Sequence, residues 1–354
     1  NPFAGLVSHL RASWLSGKTR PMEYRVTQLE ALGRFLDDKK QQILEATASD
    51  LSKAPFETEL SEILLCKNEL HETLNNLSHW MKDEHVNKNL AMQLDSAFIR
   101  KDPYGVVLII APWNYPIQLF LVPLIGAIAA GNCVIVKPSE VSKNTERLLA
   151  EALPGYLDKD CFAVVTGGVQ ETTRLLENKF DYIFFTGTPP VGRIIMTAAA
   201  KHLTPVTLEL GGKNPCYEEI FGPILPIVII ANMDEAIDFI NSRERPLALY
   251  AFSSNDKVVK QVLERTSSGG FCGNDTLMHM TLPSLPFGGI GNSGLGLYHG
   301  KFSFDIFSHH RGCLKRGMGR EPLNAPRYPP YTKKKFGLIQ ATSTVTQKSD
   351  CTLL

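Results

Sequence analysis

Apolar residues in the first 84 positions recur every three or four residues. The segments VTQLEALGRFLDD and LSEILLCKNELHETLNNLSHWM both show this spacing, which is typical of amphipathic helices. The next stretch, residues 85–102, is polar and is consistent with a hairpin. The pattern therefore predicts a helical N-terminal region that ends in a short polar connection.

Between residues 105 and 210, short apolar runs alternate with helical segments. The predicted strands are GVVLIIA (105–111), CVIVK (133–137), FAVVT (162–166), YIFFT (182–186) and VTLEL (206–210). The predicted helices lie at about 117–130, 143–157, 169–178 and 190–202. Strands separated by helices indicate βαβ units, so we predict an α/β fold with a doubly wound parallel sheet. Functional residues are then expected at the carboxyl ends of its strands.

The alternation continues after residue 217, with ILPIVII and LALYAFS as predicted strands and AIDFINSR and KVVKQVLERT as predicted helices. From Phe271 onward the chain is rich in glycine and loops. The tail at 313–354 contains many Pro, Lys, Ser and Thr residues, and we predict that it is disordered.

One apolar run, Pro103 to Val136, contains no charged residue and resembles a membrane span in this respect. Pro112, Pro116 and Pro123 interrupt it. A division into strand, turn, helix and strand fits this pattern better than a spanning helix of about 20 residues.

The 354 residues are 44% hydrophobic and 21% charged, as in ordinary soluble proteins. Seven Cys without a paired C-x-x-C spacing indicate a reducing compartment rather than a disulfide framework or a zinc site. From Arg311 onward nine Lys and Arg stand against two acids, so this segment carries +7 and the remainder −6. A basic tail on an acidic body suggests contact with an anionic surface.

Two polar motifs follow the first two strands of the predicted sheet. APWNYP (111–116) would let the Asn114 amide donate a hydrogen bond to an oxyanion; alternatively, it is a proline-rich turn. KPSE (137–140) would let Lys137 and Glu140 hold the ribose hydroxyls of a dinucleotide; alternatively, it is a strand end with surface charges.

Two further motifs follow the fourth and fifth strands. In GTPPVG, glycines and a helix N-terminus would admit a pyrophosphate, although a tight strand-to-helix turn needs the same residues and the G-x-G-x-x-G fingerprint is absent. Its residues are Gly187, Thr188, Pro189, Pro190, Val191 and Gly192. Glu209 lies within an apolar strand, where burial would raise its pKa and suit a general base. The alternative is a strand-end Glu bonded to backbone amides.

Three later motifs also admit two interpretations. EEIFGP (218–223) would place Glu219 on a ribose and Phe221 against a nicotinamide, or it is an acidic pair beside a core aromatic. PFGGIGNSGLG (286–296) would shape a substrate mouth, or it is a flexible loop. The final CTLL fits a prenylation motif with geranylgeranyl transfer to Cys351, or it is a chance tail. His309 and His310 have no metal-ligand spacing, so we interpret them as structural and expect no metal.

Taken together, APWNYP, KPSE, FTGTPPVG, LELGGKNP, EEIFGP and PFGGIGNSGLGLYHGKFSFDIFSH closely resemble the aldehyde dehydrogenase superfamily. YHGKFSFD resembles its class 3 branch, and CTLL resembles the prenylated 3B subgroup. The resemblance covers about residues 3–312 and the last four residues. It implies an enzyme that oxidises aldehydes, with medium- or long-chain lipid-derived aldehydes as substrates and NAD or NADP as cofactor.

The resemblance also implies a role for each matching residue. Asn114 is the oxyanion donor and Glu209 the general base that activates water. Lys137, Glu140 and the 187–192 loop bind NAD or NADP, and Glu219 with Phe221 holds the nicotinamide half. The family mechanism needs a thiolate nucleophile as well.

In the family the nucleophilic cysteine belongs in a loop between LELGGKNP and EEIFGP, and here only Cys216 and Tyr217 separate those motifs. Cys216 continues the Glu209 strand, where the family has no nucleophile. We therefore predict an internal deletion, from alternative splicing or a mispredicted transcript, that truncates the second, catalytic α/β domain and leaves the chain inactive. The alternative is a non-catalytic variant that binds nucleotide or other subunits, or a chain that fails to fold.

These interpretations predict five segments. Residues 1–84 form the helical part of the cofactor domain, 85–103 a bridging hairpin and 104–216 the NAD(P)-binding domain. A catalytic remnant with a bridging segment occupies 217–312, and the basic tail follows. The expected partners are an aldehyde, a second copy of the chain and a membrane, with no nucleic acid. The lipid would hold the protein on the cytoplasmic side of the plasma membrane, the endoplasmic reticulum or a lipid droplet.

Overall fold

The structure is a computed structural model that describes residues 1–211 and 227–344. The chain forms two units, of which the first contains 1–80 and 103–308 and the second contains 81–102 and the residues from 309 onward. The helices of the described residues are α1 Ala4–Leu15, α2 Met22–Asp38, α3 Lys40–Leu51, α4 Pro55–Thr58, α5 Leu64–Trp80, α6 Gln118–Ala130, α7 Lys143–Ala152, α8 Val169–Leu176, α9 Pro189–Ala200, α10 Met233–Asn241, α11 Asp256–Arg265, α12 Gly300–Ile306 and α13 Lys333–Ser343. A π-helical turn, Glu59–Ile63, joins α4 to α5.

Eleven strands occur in the described residues. They are β1 Glu84–His85, β2 Ser96–Pro103, β3 Val106–Ile110, β4 Cys133–Lys137, β5 Phe162–Val164, β6 Tyr182–Gly187, β7 Val206–Leu210, β8 Ala248–Ala251, β9 Gly270–Gly273, β10 Gly294–Leu295 and β11 Ser308–Lys315. The large sheet of the first unit has the order β10-β7-β6-β3-β4-β5. Its five predicted strands pair in parallel, and β10 adds to β7 antiparallel. The predicted α/β fold with a parallel sheet is confirmed.

Both faces of the sheet are covered, as expected of a doubly wound arrangement. Along β3 every residue is buried, which explains its uninterrupted apolar run. Val106, Leu108 and Ile110 share one core with α1, α8 and α9. The opposite face of the sheet carries α6, and Phe307, the residue after α12, packs there against Phe184 of β6, with ring centres 5.9 Å apart. This packing explains why residues 103–136 are apolar: they are buried within the fold, as the division into strand, turn, helix and strand predicted. Within the described ranges we find no helix that is both long and apolar enough to cross a bilayer.

The glycine-rich stretch after residue 286 closes one edge of the sheet. Gly294 has φ +148°, and a Cβ there would overlap the carbonyl oxygen of Leu208. Glycine therefore allows β10 to pair with β7, with Gly294 opposite Glu209. The edge of β7 is thus covered by β10.

The region after residue 227 has a small core. Strands β8 and β9 pair in parallel and pack with α10 and α11 around Leu249, Ala251 and Val262. The predicted strand ILPIVII is wrong for its described part, because residues 227–230 have no regular structure. Ile229 is 93% exposed there. A strand forms only where a neighbour accepts its backbone hydrogen bonds, and β8 pairs with β9 instead.

The second unit contains the three-stranded sheet β1-β2-β11. Asp95 is almost inaccessible and accepts hydrogen bonds from Arg316, at 2.9 and 3.0 Å, and from Arg320. The tail differs from the predicted disorder as far as residue 344, because it contains a 3₁₀ segment and α13. Thr332 caps α13 by accepting a hydrogen bond from the Lys335 amide.

Candidate active site

The loop that carries Asn114 follows β3 at its carboxyl end. A buried ion pair holds this loop in place. Lys53 Nζ lies 2.7 Å from Glu62 Oε1, and the two side chains are 10% and 0% exposed. The same ammonium donates to the carbonyl of Asn114 at 2.9 Å and lies 3.8 Å from the centre of the Tyr115 ring. The loop is therefore fixed by charge-assisted bonds, which are stronger than those between neutral groups.

Glu62 also binds the backbone amides at the start of α6, the helix that follows the loop. Its Oε2 accepts hydrogen bonds from the amides of Ile117, at 2.8 Å, and Gln118, at 3.4 Å. These are first-turn donors of α6, which lacks a side-chain cap of its own. Burial raises the pKa of Glu62, although Lys53 and the two amides oppose that change. Glu62 thus ties α5 and its π turn to the Asn114 loop.

Glu209 lies in β7 between Thr186 of β6 and Gly294 of β10. It is 4% exposed, and neither carboxylate oxygen makes a well-formed hydrogen bond to any described residue. Burial raises the pKa of Glu209 well above its ordinary value, and the backbone amide of Gly289 opposes this change without offsetting it. A carboxylate in this state binds a proton strongly, as a general base requires.

Asn114 and Glu209 line one cavity of about 300 Å³ at the carboxyl end of the sheet. The side-chain oxygens of Asn114, Thr186, Gln118 and Glu209 are buried and make no well-formed hydrogen bond to a described residue. The other lining residues are Pro112, Trp113, Tyr115, Leu119, Gly187, Thr188, Leu210, Gly211, Leu247, Met280, Phe287 and Tyr298. An apolar wall with a few converging polar atoms is typical of a small-molecule site.

Sequence patterns did not single out Gln118, Thr186 or Tyr298 as site residues. Tyr298 is 1% exposed, and its ring packs edge-to-face against Phe287 and His299. Burial raises the pKa of Tyr298, and the charges of Glu209 and Glu69 raise it further. The signal that was available is the position of Tyr298 in YHGKFSFD, directly after the glycine-rich loop.

Lys137 and Glu140 lie at the carboxyl end of β4, next to β3. Lys137 Nζ donates to the carbonyls of Pro138, at 2.6 Å, and Gly167, at 2.8 Å, and to Glu140 Oε2 at 3.1 Å. Burial acts to raise the pKa of Glu140, but its own backbone amide and Lys137 bring the pKa below its usual value. The pair is pre-organised, with the ammonium buried and the carboxylate side chain 45% exposed.

The GTPPVG loop joins β6 to α9. Thr188 is the residue before α9, and Pro189 occupies its first position, where a missing amide costs nothing. Gly192 packs against β7, since a Cβ there would lie 2.7 Å from the Leu210 side chain. Gly187 and Thr188 line the cavity of Asn114 and Glu209, whereas Pro189 lines a separate cavity of about 120 Å³. Pro190 follows it in the first turn of α9, and Val191 is exposed there.

Several predicted site residues lie outside the described residues. These are Cys216, Glu219, Phe221 and Cys351. The cysteines that the structure places are Cys66, Cys133, Cys161, Cys272 and Cys313, and each has a free thiol. The cavity has no cysteine in its described lining. His309 and His310 lie in β11, and no three His, Cys, Asp or Glu side chains of residues 1–211 and 227–344 form a metal site.

Comparisons with a family model and with curated proteins point to the same family. The model of the aldehyde dehydrogenase family matches residues 12–217 and 216–311. Aldehyde dehydrogenase family 3 member B1 of Bos taurus is 49% identical over 468 aligned positions, and that of Homo sapiens is 48% identical over the same number. Both alignments cover 100% of each chain. Member B2 of Mus musculus is 47% identical, covering 100% of this chain and 97% of its own.

Solved structures of this family have the same fold. The substrate-bound state of Staphylococcus aureus AldH has a TM-score of 0.90 and 32% identity, covering 94% of this chain and 98% of its own. A Mycobacterium tuberculosis aldehyde dehydrogenase complexed with NAD⁺ has a TM-score of 0.77 and 19% identity, with coverage of 88% and 89%. At that identity the likeness concerns the fold alone.

Proposed function

Because the chain belongs to the aldehyde dehydrogenase family, we propose that it retains the aldehyde-binding and nucleotide-binding parts of such an enzyme but lacks the nucleophile for turnover. The observation that carries this proposal is the cavity of Asn114 and Glu209. It holds the polar groups for an oxyanion and for water activation, yet its described lining contains no cysteine. The chain would act as a non-catalytic binding variant of its family.

The residues present fit the adenosine half of NAD or NADP. The exposed carboxylate of Glu140 would accept hydrogen bonds from ribose hydroxyls, while Lys137 holds it in place. The start of α9 at Thr188 and Pro189 would face the pyrophosphate, since helix N-termini favour anions. The bound, oxidised cofactor would provide the hydride acceptor for aldehyde oxidation. Glu219 and Phe221 are proposed to contact its nicotinamide half.

The two catalytic residues have separate proposed roles. The Asn114 amide would stabilise negative charge on the aldehyde oxygen, and Glu209 would take a proton from water. Neither side chain can form the thioester that the family mechanism requires. Removal of the nucleophile from subtilisin lowers kcat roughly a million-fold, and we expect a loss of comparable size here.

Two findings support a missing internal segment. The two matches to the family model meet at residues 216 and 217. The alignment with the bovine relative has 468 positions, although this chain has 354 residues. We propose that the absent positions include the loop with the nucleophilic cysteine, and resequencing of the transcript would test this directly.

The activity test uses the purified chain, a long-chain aliphatic aldehyde and either NAD⁺ or NADP⁺, with absorbance at 340 nm as readout. We expect no steady formation of reduced cofactor above the rate of Glu209→Gln. Calorimetry with NAD⁺ serves as the binding readout. Steady turnover that disappears in Cys216→Ser would overturn the proposal and identify Cys216 as the nucleophile.

A further proposal concerns the membrane. Cys351 would carry a geranylgeranyl group, and one such chain alone binds membranes only marginally. Lys333, Lys334 and Lys335, at the start of α13, supply a second signal, at about 1 kcal/mol for each cation near an anionic leaflet. Lipid-derived aldehydes are the substrate class that fits such a location, on the cytoplasmic side of the plasma membrane, the endoplasmic reticulum or a lipid droplet.

Fractionation of cells separates the two membrane signals. Cys351→Ser should move the protein to the soluble fraction, and a triple Lys→Gln variant at 333–335 should weaken binding while leaving the lipid in place. Membrane binding of Cys351→Ser equal to that of the parent would refute the lipid anchor. We propose a homodimer as the oligomeric state, which sedimentation equilibrium of the unlipidated chain would test.

A further inference from the structure

Two cysteines face each other at the amino ends of neighbouring strands. Val134 of β4 pairs in parallel with Phe162 of β5, so Cys133 and Cys161 occupy the preceding pair of positions. The Val134 amide donates to the Cys161 carbonyl at 2.8 Å. Neighbouring strands lie about 4.8 Å apart, and disulfides form between Cα atoms about 4.4–6.8 Å apart. The backbone thus meets the distance requirement for a disulfide.

The side chains are also directed to the same side, because residues paired across neighbouring strands point to one face of the sheet. Cys133 and Cys161 belong to one buried cluster, on the same face of the sheet as Val106 and Ile135. The Cys133 thiol and then the Tyr24 hydroxyl lower the pKa of Cys161 below its usual value, against the effect of burial, and Lys18 adds to this. The thiolate is therefore favoured at Cys161 and disfavoured at Cys133, where the same contact raises the pKa.

Cys161 is 5% exposed and lies at the rim of this core, beside side chains that reach the surface. It follows the turn at Asp158, and its neighbour Tyr24 is half-buried, with its hydroxyl 3.0 Å from Asp158 Oδ2. The Lys18 side chain, 39% exposed, pairs with the same carboxylate at 2.7 Å.

We propose that Cys133 and Cys161 are a peroxide-reactive dithiol that closes to an intramolecular disulfide. Cys161 loses its proton to solvent, and its thiolate attacks one peroxide oxygen. The O–O bond breaks, a sulfenic acid forms on Cys161 and the second oxygen leaves as water or alcohol after protonation. Cys133 then loses its proton and attacks the Cys161 sulfur, and hydroxide departs to form water. The two thiols lose two electrons, and the peroxide gains them.

This site is separate from the aldehyde cavity. Neither cysteine lines that cavity, but Cys133 begins the strand whose other end carries Lys137. Cys66 provides the contrast to Cys161: its Sγ is directed at the carbonyl of Ile117, and burial raises its pKa well above the usual value, whereas the pKa of Cys161 is lowered. Buried thiols of that type are chemically inert.

Tryptic mass spectrometry of the native full chain tests the proposal. Trypsin leaves Lys137 uncut because Pro138 follows, so residues 102–143 form one peptide with Cys133 as its single cysteine, and residues 160–174 form another with Cys161. After hydrogen peroxide treatment and alkylation, we expect a cross-linked pair of these two peptides that a reductant separates. Cys66 should remain alkylated to the same fraction as before treatment.

Variants separate the two steps. In Cys133→Ser the cross-link should be absent, and dimedone should label Cys161 as a trapped sulfenic acid. In Cys161→Ser, Cys133 should stay a free thiol, while the control Cys66→Ser should keep the cross-link. Full alkylation of both cysteines in the peroxide-treated parent would overturn the proposal. So would a cross-link that forms in urea but not in the folded chain, and neither result depends on the variants folding.

Discussion

Glu69 should make the stability of this protein depend on pH, and Glu69→Gln should remove that dependence. Glu69 lies in α5, is 2% exposed and accepts a hydrogen bond from the Gly300 amide at 2.6 Å, with Ser303 Oγ at 3.4 Å. Burial raises the pKa of Glu69 to about 7, although both donors oppose the change and Glu72 adds to it. The ordinary value of this group is 4.5.

The sign and the size of the pH effect on stability follow from the difference between the folded and the ordinary pKa of Glu69. The folded state holds the Glu69 proton more tightly than the unfolded state, so the contribution to stability is complete below pH 4.5 and disappears as the pH rises to 7. At about 1.4 kcal/mol for each pKa unit, the loss is roughly 3 kcal/mol. Gln is neutral at every pH, and its carbonyl can still accept from the Gly300 amide. The variant should therefore match the parent near pH 4.5 and exceed its free energy of unfolding by roughly 3 kcal/mol at pH 8.

Urea unfolding at pH 5 and pH 8, followed by tryptophan fluorescence, measures this effect. For an m-value of about 3 kcal/mol per molar, the midpoint of the variant should exceed that of the parent by about 1 M at pH 8. Glu30→Gln, at an exposed position of α2, is the matched control and should leave the difference between the two pH values unchanged. Parallel stability curves of Glu69→Gln and the parent between pH 5 and 8 would refute the reasoning.

Three other perturbations give expected outcomes. Lys53→Met should lower the free energy of unfolding by about 3–5 kcal/mol in urea titrations, because Glu62 is left as an unpaired buried charge. The double variant Lys53→Met with Glu62→Leu should recover part of this free energy. If the double variant is destabilised as much as Lys53→Met alone, the argument is contradicted. Gly294→Ala should lower thermal stability more than Gly312→Ala, because only the first meets backbone atoms. The whole chain should melt below about 55 °C, inside the mesophile range, because residues such as Ile229 stay exposed; a single cooperative transition above that temperature would contradict this.

Local patterns were sufficient for the parallel sheet. The apolar runs at β3, β4 and β6 are buried on both faces, and such strands are recognisable without knowledge of their partners. The same reasoning failed for residues 227–230, which have the composition of a strand. Composition describes what a segment prefers, whereas a strand also needs a neighbour with free backbone groups, and that neighbour is a property of the whole fold.

The sequence by itself determined the family, the βαβ order and the position of Asn114 and Glu209 at the carboxyl ends of β3 and β7. Those features depend on local spacing and on the rule that parallel strands end at one edge. Only the tertiary structure decided which distant residues hold the helices around the site. Glu62 lies 55 positions before Ile117, and Glu69 lies 231 positions before Gly300, yet each carboxylate holds the start of a helix. Such pairs arise because buried backbone donors need acceptors, and packing in three dimensions selects the acceptor.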